Sequence, residues 1–346
     1  MKHNLPLKRI VLHAALFVGL IVLTFAVLLR GQNIPALLAV LRDVKLRYLL
    51  LAAGCMCLFL LCEAANLHRC LRLFGSRCGK WQAVHYALTG FFFSSVTPSA
   101  SGGQPMQLFA MHRDAVPMSH GTLALLVQFA SFQLVTVSFA SVGFALQHSL
   151  LSQEIGNLKY LFALGAGANA LLLLLTLCAI LSRRLCNVFQ RIARRMLYAL
   201  PIKRAAEHER SLSAQLALYR QSAVYLRQNV PAMLRILAVT AVQITAFYSI
   251  PYWVYLSLGL PLCSFWRVAS IQAVLHVAVS ALPLPGAVGA SEGTFLLLFR
   301  VIFPAAVLHD AMLLSRGVSF YLFVALSGIA VAVSLFQSPK KNSETM

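Results

Sequence analysis

Two stretches of this sequence interrupt long apolar runs with groups able to hold a charged or hydrogen-bonding ligand. The first is Thr97-Pro98-Ser99-Ala100-Ser101-Gly102-Gly103-Gln104-Pro105, within the run Ala83–Met111. Ser99, Ser101 and Gln104 supply neutral donors. Gly102-Gly103-Gln104-Pro105 reads as a helix start, because proline is favoured at the first helical position. Free backbone N–H groups at such a start form an anion site suited to a phosphate. The second stretch runs from Leu282 to Gly293 within Phe265–Phe303 and contains Pro283, Pro285, Gly286, Gly289 and Glu292. Ser291 is a candidate N-cap, and the Glu292 carboxylate would suit the first turn of a helix. Arg300, Asp310 and Arg316 follow. An ion-pair network among these four charges and a ligand role are both open, since an unpaired charge there would be hard to tolerate.

Other polar groups in apolar runs are fewer. Glu63 precedes Arg69 and Arg72 and is expected to pair with them, whereas Arg113 and Asp114 read as a surface pair. His276, one turn after Gln272, is expected to be a hydrogen-bonded core histidine rather than a proton relay. No G-x-S-x-G, H-E-x-x-H or Walker sequence occurs, and nine acids leave few candidates for acid–base or metal chemistry. No catalytic residue, cofactor or metal is expected. The eight cysteines have no zinc or C-x-x-C spacing and read as small hydrophobes.

The elements that must position these groups are membrane helices. The chain has 346 residues, of which 60% are hydrophobic and 11% charged, with a mean hydropathy of +0.78. Soluble domains run about 45–50% apolar and about 25% charged. The formal net charge of +20 has no extended polar face to present to a duplex, so no nucleic-acid binding is expected. Clear spanning runs are Ile10–Leu29, Tyr48–Ala65, Gly121–Leu146, Leu158–Leu181, Pro231–Leu256 and Ala311–Leu335. Each approaches the ~20 residues that cross a bilayer. No cleavage site follows Ile10–Leu29, which reads as an uncleaved first helix.

Basic residues at the N-terminus, in Ser182–Asn229 and at Lys340-Lys341 place all three on the cytoplasmic side. Ser182–Asn229 reads either as two amphipathic helices divided at Pro201 and lying in the interface, or as a solvated loop. Parity is kept if each broken run is a re-entrant hairpin, or if each is a pair of spans, and in both cases the two enter from opposite faces. Pro98-x3-Gly102 and Pro285-x3-Gly289 share a spacing. Paired broken segments in two halves point to an inverted repeat with a binding site between them, and ordinary proline kinks are the alternative. The expected fold is thus an all-α polytopic membrane protein of about six to eight transmembrane helices with two broken or re-entrant segments. It is read as one domain over 1–346, with a first half (1–181), a basic segment (182–229), a second half (230–337) and a short tail (338–346).

At these motifs the sequence resembles the lysylphosphatidylglycerol synthase transmembrane-region family, also called flippase-like. Thr97–Gln107 is similar to the family's first signature, and Pro283–Gly293 to its second, Pro-x-Pro-Gly-Gly-x-Gly-x-x-Glu-Gly. Leu314–Tyr321 resembles its last-helix arginine segment. Ala287 replaces the usual second glycine, and Gln107 stands where many relatives carry arginine. The resemblance implies a bacterial plasma-membrane protein that moves a phospholipid, anionic or aminoacylated, between leaflets. Ser99, Ser101, Gly102, Gly103, Gln104, Glu292, Arg300 and Arg316 would then face the headgroup. In the multiple peptide resistance factor such a domain precedes a soluble transferase, which the chain to Met346 is expected to lack. A separate transferase is therefore an expected partner. A phosphatidylglycerol lysyltransferase, or a membrane subunit of another lipid-modifying transferase, is the alternative function.

Overall fold

A computed structural model describes residues 44–147, 158–182, 205–280, 282 and 284–336, together with the single positions 188, 191 and 195. The expected span Ile10–Leu29, most of the basic segment before Ala205, both termini and Cys186 lie outside the described residues. Among the described residues all regular structure is helical. In chain order the helices are α1 (Leu46–Leu73), α2 (Lys80–Val96), α3 (Gly103–Arg113), α4 (Met118–Leu146), α5 (Leu158–Leu181) and α6 (Ala205–Gln228). They continue with α7 (Val230–Ser257), α8 (Phe265–Ser280), α9 (Ala290–Phe299), α10 (Ala305–Arg316) and α11 (Leu322–Phe336). Short 3-10 turns at Pro98–Ala100 and Pro285–Ala287 join α2 to α3 and α8 to α9, and a π turn at Gly317–Tyr321 joins α10 to α11.

Helix lengths separate the spans from the hairpins. α1, α4, α5, α7 and the continuous α10–α11 pair are long and apolar enough to cross a bilayer. At 1.5 Å per residue, α3 and α9 reach only about 16 Å, roughly half the ~30 Å of hydrocarbon. Each folds back on its predecessor instead. The Tyr86 hydroxyl, near the start of α2, donates to Asp114 Oδ2 just after α3 at 2.7 Å. Asp114 is thereby bonded across the hairpin rather than forming a surface pair with Arg113. In the second hairpin, Phe303 returns beyond α9 to Tyr255 at the end of α7, with ring centroids 5.2 Å apart. Both broken runs are therefore hairpins that re-emerge at the end where they began.

Close backbone approach makes the first hairpin tight. Gly103 packs against Gly90, where a Cβ would lie 2.8 Å from the Gly90 carbonyl oxygen and collide with Ser94 Oγ. Only glycine fits such a crossing.

The two halves correspond element by element. One residue separation relates Pro98 to Pro285, the start of α3 at Gly103 to that of α9 at Ala290, and the start of α4 at Met118 to that of α10 at Ala305. Pro117 and Pro304 precede α4 and α10 with closely similar dihedrals. Both 3-10 turns carry two consecutive residues of positive φ at matching positions, Ser99 and Ala100 in one and Gly286 and Ala287 in the other. Non-glycine residues adopt this conformation uncommonly, so ordinary proline kinks do not account for the match. Packing is crossed accordingly: α2 lies on α11, α8 lies on α4, and the two 3-10 turns meet.

The equivalent helices α1 and α7, each of 28 residues, pack antiparallel. The Lys45 amide donates to the Ser257 carbonyl at 2.8 Å at one end, and Asn66 Nδ2 donates to Thr240 Oγ1 at 3.0 Å toward the other. Antiparallel equivalents require a two-fold axis across the helices rather than along them. The repeat is inverted, and its hairpins enter from opposite faces.

α5 is apolar all round and exposes Leu164, Leu171, Leu174 and Leu175, as a lipid-facing helix does. Its inner face meets the second hairpin at Gly165, where a Cβ would collide with the Val277 carbonyl, and Asn169 Nδ2 donates to Ser280 Oγ at 2.6 Å. Backbone cannot swing aside as a side chain does. Gly165→Ala is expected to cost about 1–3 kcal/mol through overpacking, read as a lower unfolding midpoint in detergent. Gly167→Ala, which meets open space, should show no such loss.

The described cysteines are free thiols. In the loop between α1 and α2, burial pushes the Cys78 thiol up to about 11, and the nearby Asp114 charge adds to the rise. Such a thiol stays protonated and unreactive at neutral pH.

Candidate functional site

A cavity of about 340 Å³ opens where the two hairpin tips meet. Ser94, Ser95 and Ser99 line it from the first hairpin, and Gln272, His276, Ser280 and Ser291 from the second. Ser315, Arg316, Ser319 and Phe320 complete it from α10 and the π turn. π turns inside helices recur at functional sites. Irregular backbone at membrane depth is tolerated where protein or a polar cavity covers it, which is the situation of both tips.

The second tip is built around Glu292. Its Oε2 accepts from the Gly289 amide at 2.6 Å, while its Oε1 accepts from Arg316 Nε at 2.9 Å and from the Tyr321 hydroxyl at 3.3 Å. Arg316 also donates through Nη2 to the Gly286 carbonyl at 3.1 Å and lies 4.4 Å from the Phe320 ring centroid. One ion pair thus closes the turn, seats α9 and ties the hairpin to α10. The cap of α9 is Gly289 rather than Ser291. Its φ of +82° suits glycine, and the carboxylate three residues on reaches back to the cap amide, which moves the helix start upstream.

The first tip solves the same problem without charge. The Thr97 hydroxyl donates to the Phe93 carbonyl at 2.6 Å and accepts from the Gly102 amide at 2.8 Å.

Of the residues singled out in the sequence, Ser99 and Arg316 line the cavity and Glu292 lies directly behind Arg316. Ser101, Gly102, Gly103 and Gln104 belong to the first tip but not to the cavity wall, with both glycines engaged in the turn and in hairpin packing. Arg300 sits exposed at the far end of α9. Glu63 does not pair with Arg69 or Arg72. Its Oε1 accepts from Gln107 Nε2 at 3.0 Å, and Arg69 donates to Asn66 Oδ1 at 3.2 Å. Gln107 thus joins α3 to α1 and does not face the cavity. His276 Nδ1 is bonded to the Tyr248 hydroxyl at 2.9 Å, packs among Phe132 and Phe247, and also reaches the cavity wall.

Ser94, Ser95, Ser280, Ser315 and Ser319 are what sequence reading missed. Ser315 and Ser319 stand one turn apart beside Arg316, which was the available signal. Ser315 Oγ and Gln272 Oε1 are buried with no hydrogen-bond partner, and both residues line the cavity. Such orphan groups are costly, at about 1–3 kcal/mol each, and call for an explanation. A polar occupant would supply their partners once the hydroxyl and the amide turn toward the cavity. No group of residues able to hold a metal occurs among the described residues.

An inverted repeat of broken hairpins, with spans on either side, defines a multi-pass helical membrane protein. More particularly, the chain belongs to the family described as the lysylphosphatidylglycerol synthase transmembrane region, whose model matches residues 10–327. It is similar to a UPF0104 membrane protein of Archaeoglobus fulgidus, with 22% identity over 277 residues that cover 76% of this chain and 79% of that protein.

Proposed function

We propose that this protein binds the headgroup of a membrane phospholipid in the cavity between the hairpin tips and passes it from one leaflet to the other. The observation that carries this reading is the pair of unpartnered groups, Ser315 and Gln272, beside an arginine with donors to spare. Arg316 commits Nε to Glu292 and Nη2 to Gly286, and a guanidinium has five N–H groups. The remainder suit a phosphate, with serine hydroxyls around it. Because Glu292 balances Arg316, no uncompensated charge is left in the site when a headgroup leaves it. The acyl chains stay in the bilayer. A bacterial plasma membrane, with both termini on the cytoplasmic side, is the proposed setting.

The test is movement of a fluorescent phospholipid between leaflets of vesicles containing the purified protein. Ser315→Leu, which fills the cavity with apolar bulk, should slow it at least about tenfold, the equivalent of about 1.4 kcal/mol on the barrier, while the unfolding midpoint holds. Equal rates in the wild type and this variant would remove the site. Lysylated phosphatidylglycerol made by the purified chain from lysyl-tRNA would assign transfer chemistry instead.

A further inference from the structure

A second, larger concavity of about 950 Å³ lies away from the tips, at the C-terminal end of α1. We infer that it is a binding site for a single anionic phospholipid, its phosphate held by Arg69, Arg72 and Lys80 and an acyl chain laid along Leu61 and Ala65. The inference does not rest on lipid movement through the cavity.

The reasoning begins with helix register. Leu61, Ala65, His68 and Arg72 follow one another at intervals of three and four, so they form a single stripe along α1. That stripe changes character along its length, from the lipid-exposed Leu61 through the small Ala65 to His68 and Arg72, with Arg69 alongside. An amphiphile with an anionic head and an apolar tail has the same polarity sequence. Lys80, at the start of α2, closes the charged end from the facing element, and Tyr225 of α6 forms a further wall.

Charge points the same way. Three permanent cations line the groove and no carboxylate does, among the described residues. The nearest acids are engaged elsewhere, Glu63 with Gln107 and Asp114 with Tyr86. A phosphodiester would supply the missing counter-charge, and basic side chains near a membrane surface attract anionic lipid. α6 packs here against α4, where Gln215 Oε1 accepts from the Ser119 amide. α6, which carries the described end of the basic segment, therefore shares one face of the protein with the groove.

Native mass spectrometry of the purified full-length chain decides the matter, with dioleoyl phosphatidylglycerol, dioleoyl phosphatidylcholine and inorganic phosphate as probes. One phosphatidylglycerol should be retained in preference to phosphatidylcholine. The triple variant R69Q/R72Q/K80Q should lower that preference more than about tenfold, and each single glutamine variant by a few-fold, which keeps the test intact if the triple variant misfolds. Ala65→Trp fills the apolar limb and should lower retention with every charge in place. Equal retention of the two lipids by the wild type, or unchanged preference in the glutamine variants, overturns the site. Displacement by millimolar phosphate together with full retention in Ala65→Trp assigns the groove to soluble phosphate and overturns the lipid.

Discussion

Truncating Glu292 to alanine is expected to cost about 3–5 kcal/mol of stability, the range for leaving one partner of a buried ion pair uncompensated. The Arg316 and Glu292 side chains are only 13% and 9% exposed, which puts the pair in the buried class rather than among surface bridges worth at most about 1 kcal/mol. The variant also frees the Gly289 amide and the Tyr321 hydroxyl, so the turn and the π segment loosen together. Thermal unfolding of the purified protein in detergent reads the loss. Replacing both partners, Glu292→Leu with Arg316→Met, should recover part of the stability, because the uncompensated charge is gone while the Gly289 amide and the Tyr321 hydroxyl stay unpartnered. It should not recover lipid movement, since the donors are gone. A loss below about 1 kcal/mol in the single variant would show that the second tip is held by packing alone.

Gly286→Val is expected to be nearly as damaging for a different reason. Gly286 has a φ of +56°, and a Cβ there would collide with Phe320 Cζ and lie 3.2 Å from Phe320 Cε1. A β-branched residue forced into that region costs about 1–3 kcal/mol, and overpacking adds a comparable amount. The ring cannot yield without leaving Arg316, on which it stacks, so the damage passes into the ion pair. Adding Phe320→Ala should return part of the stability by removing the obstacle, leaving the backbone strain. If the double variant is as unstable as Gly286→Val, the ring is not what excludes a side chain here.

Much of this architecture could be read from local chemistry. The shared spacing of Pro98-x3-Gly102 and Pro285-x3-Gly289 marks two tips that prove equivalent in backbone conformation as well as sequence. Glu292 and Arg316 were candidates for one another because a lone charge in an apolar run needs a partner. What the sequence withheld is distance across the fold. Arg300 is close to Glu292 along the chain, yet α9 carries it to the opposite end of a helix. Glu63 precedes two arginines on its own helix, yet Gln107 reaches it from α3. Ser315 and Gln272 look like ordinary packing until their burial and lack of partners are seen together. The choice between re-entrant hairpins and paired spans needed the lengths of α3 and α9, which end sooner than their apolar runs do.

The two tips, alike in backbone, are held by unlike bonds. Thr97 closes the first with neutral hydrogen bonds, each worth about 1 kcal/mol net, whereas a desolvated charge pair clamps the second to α10. If the tips are pulled apart, the first turn is therefore expected to open before the second. If the proposed lipid movement needs one tip to shift against the other, the half containing α2 and α3 is the one expected to travel.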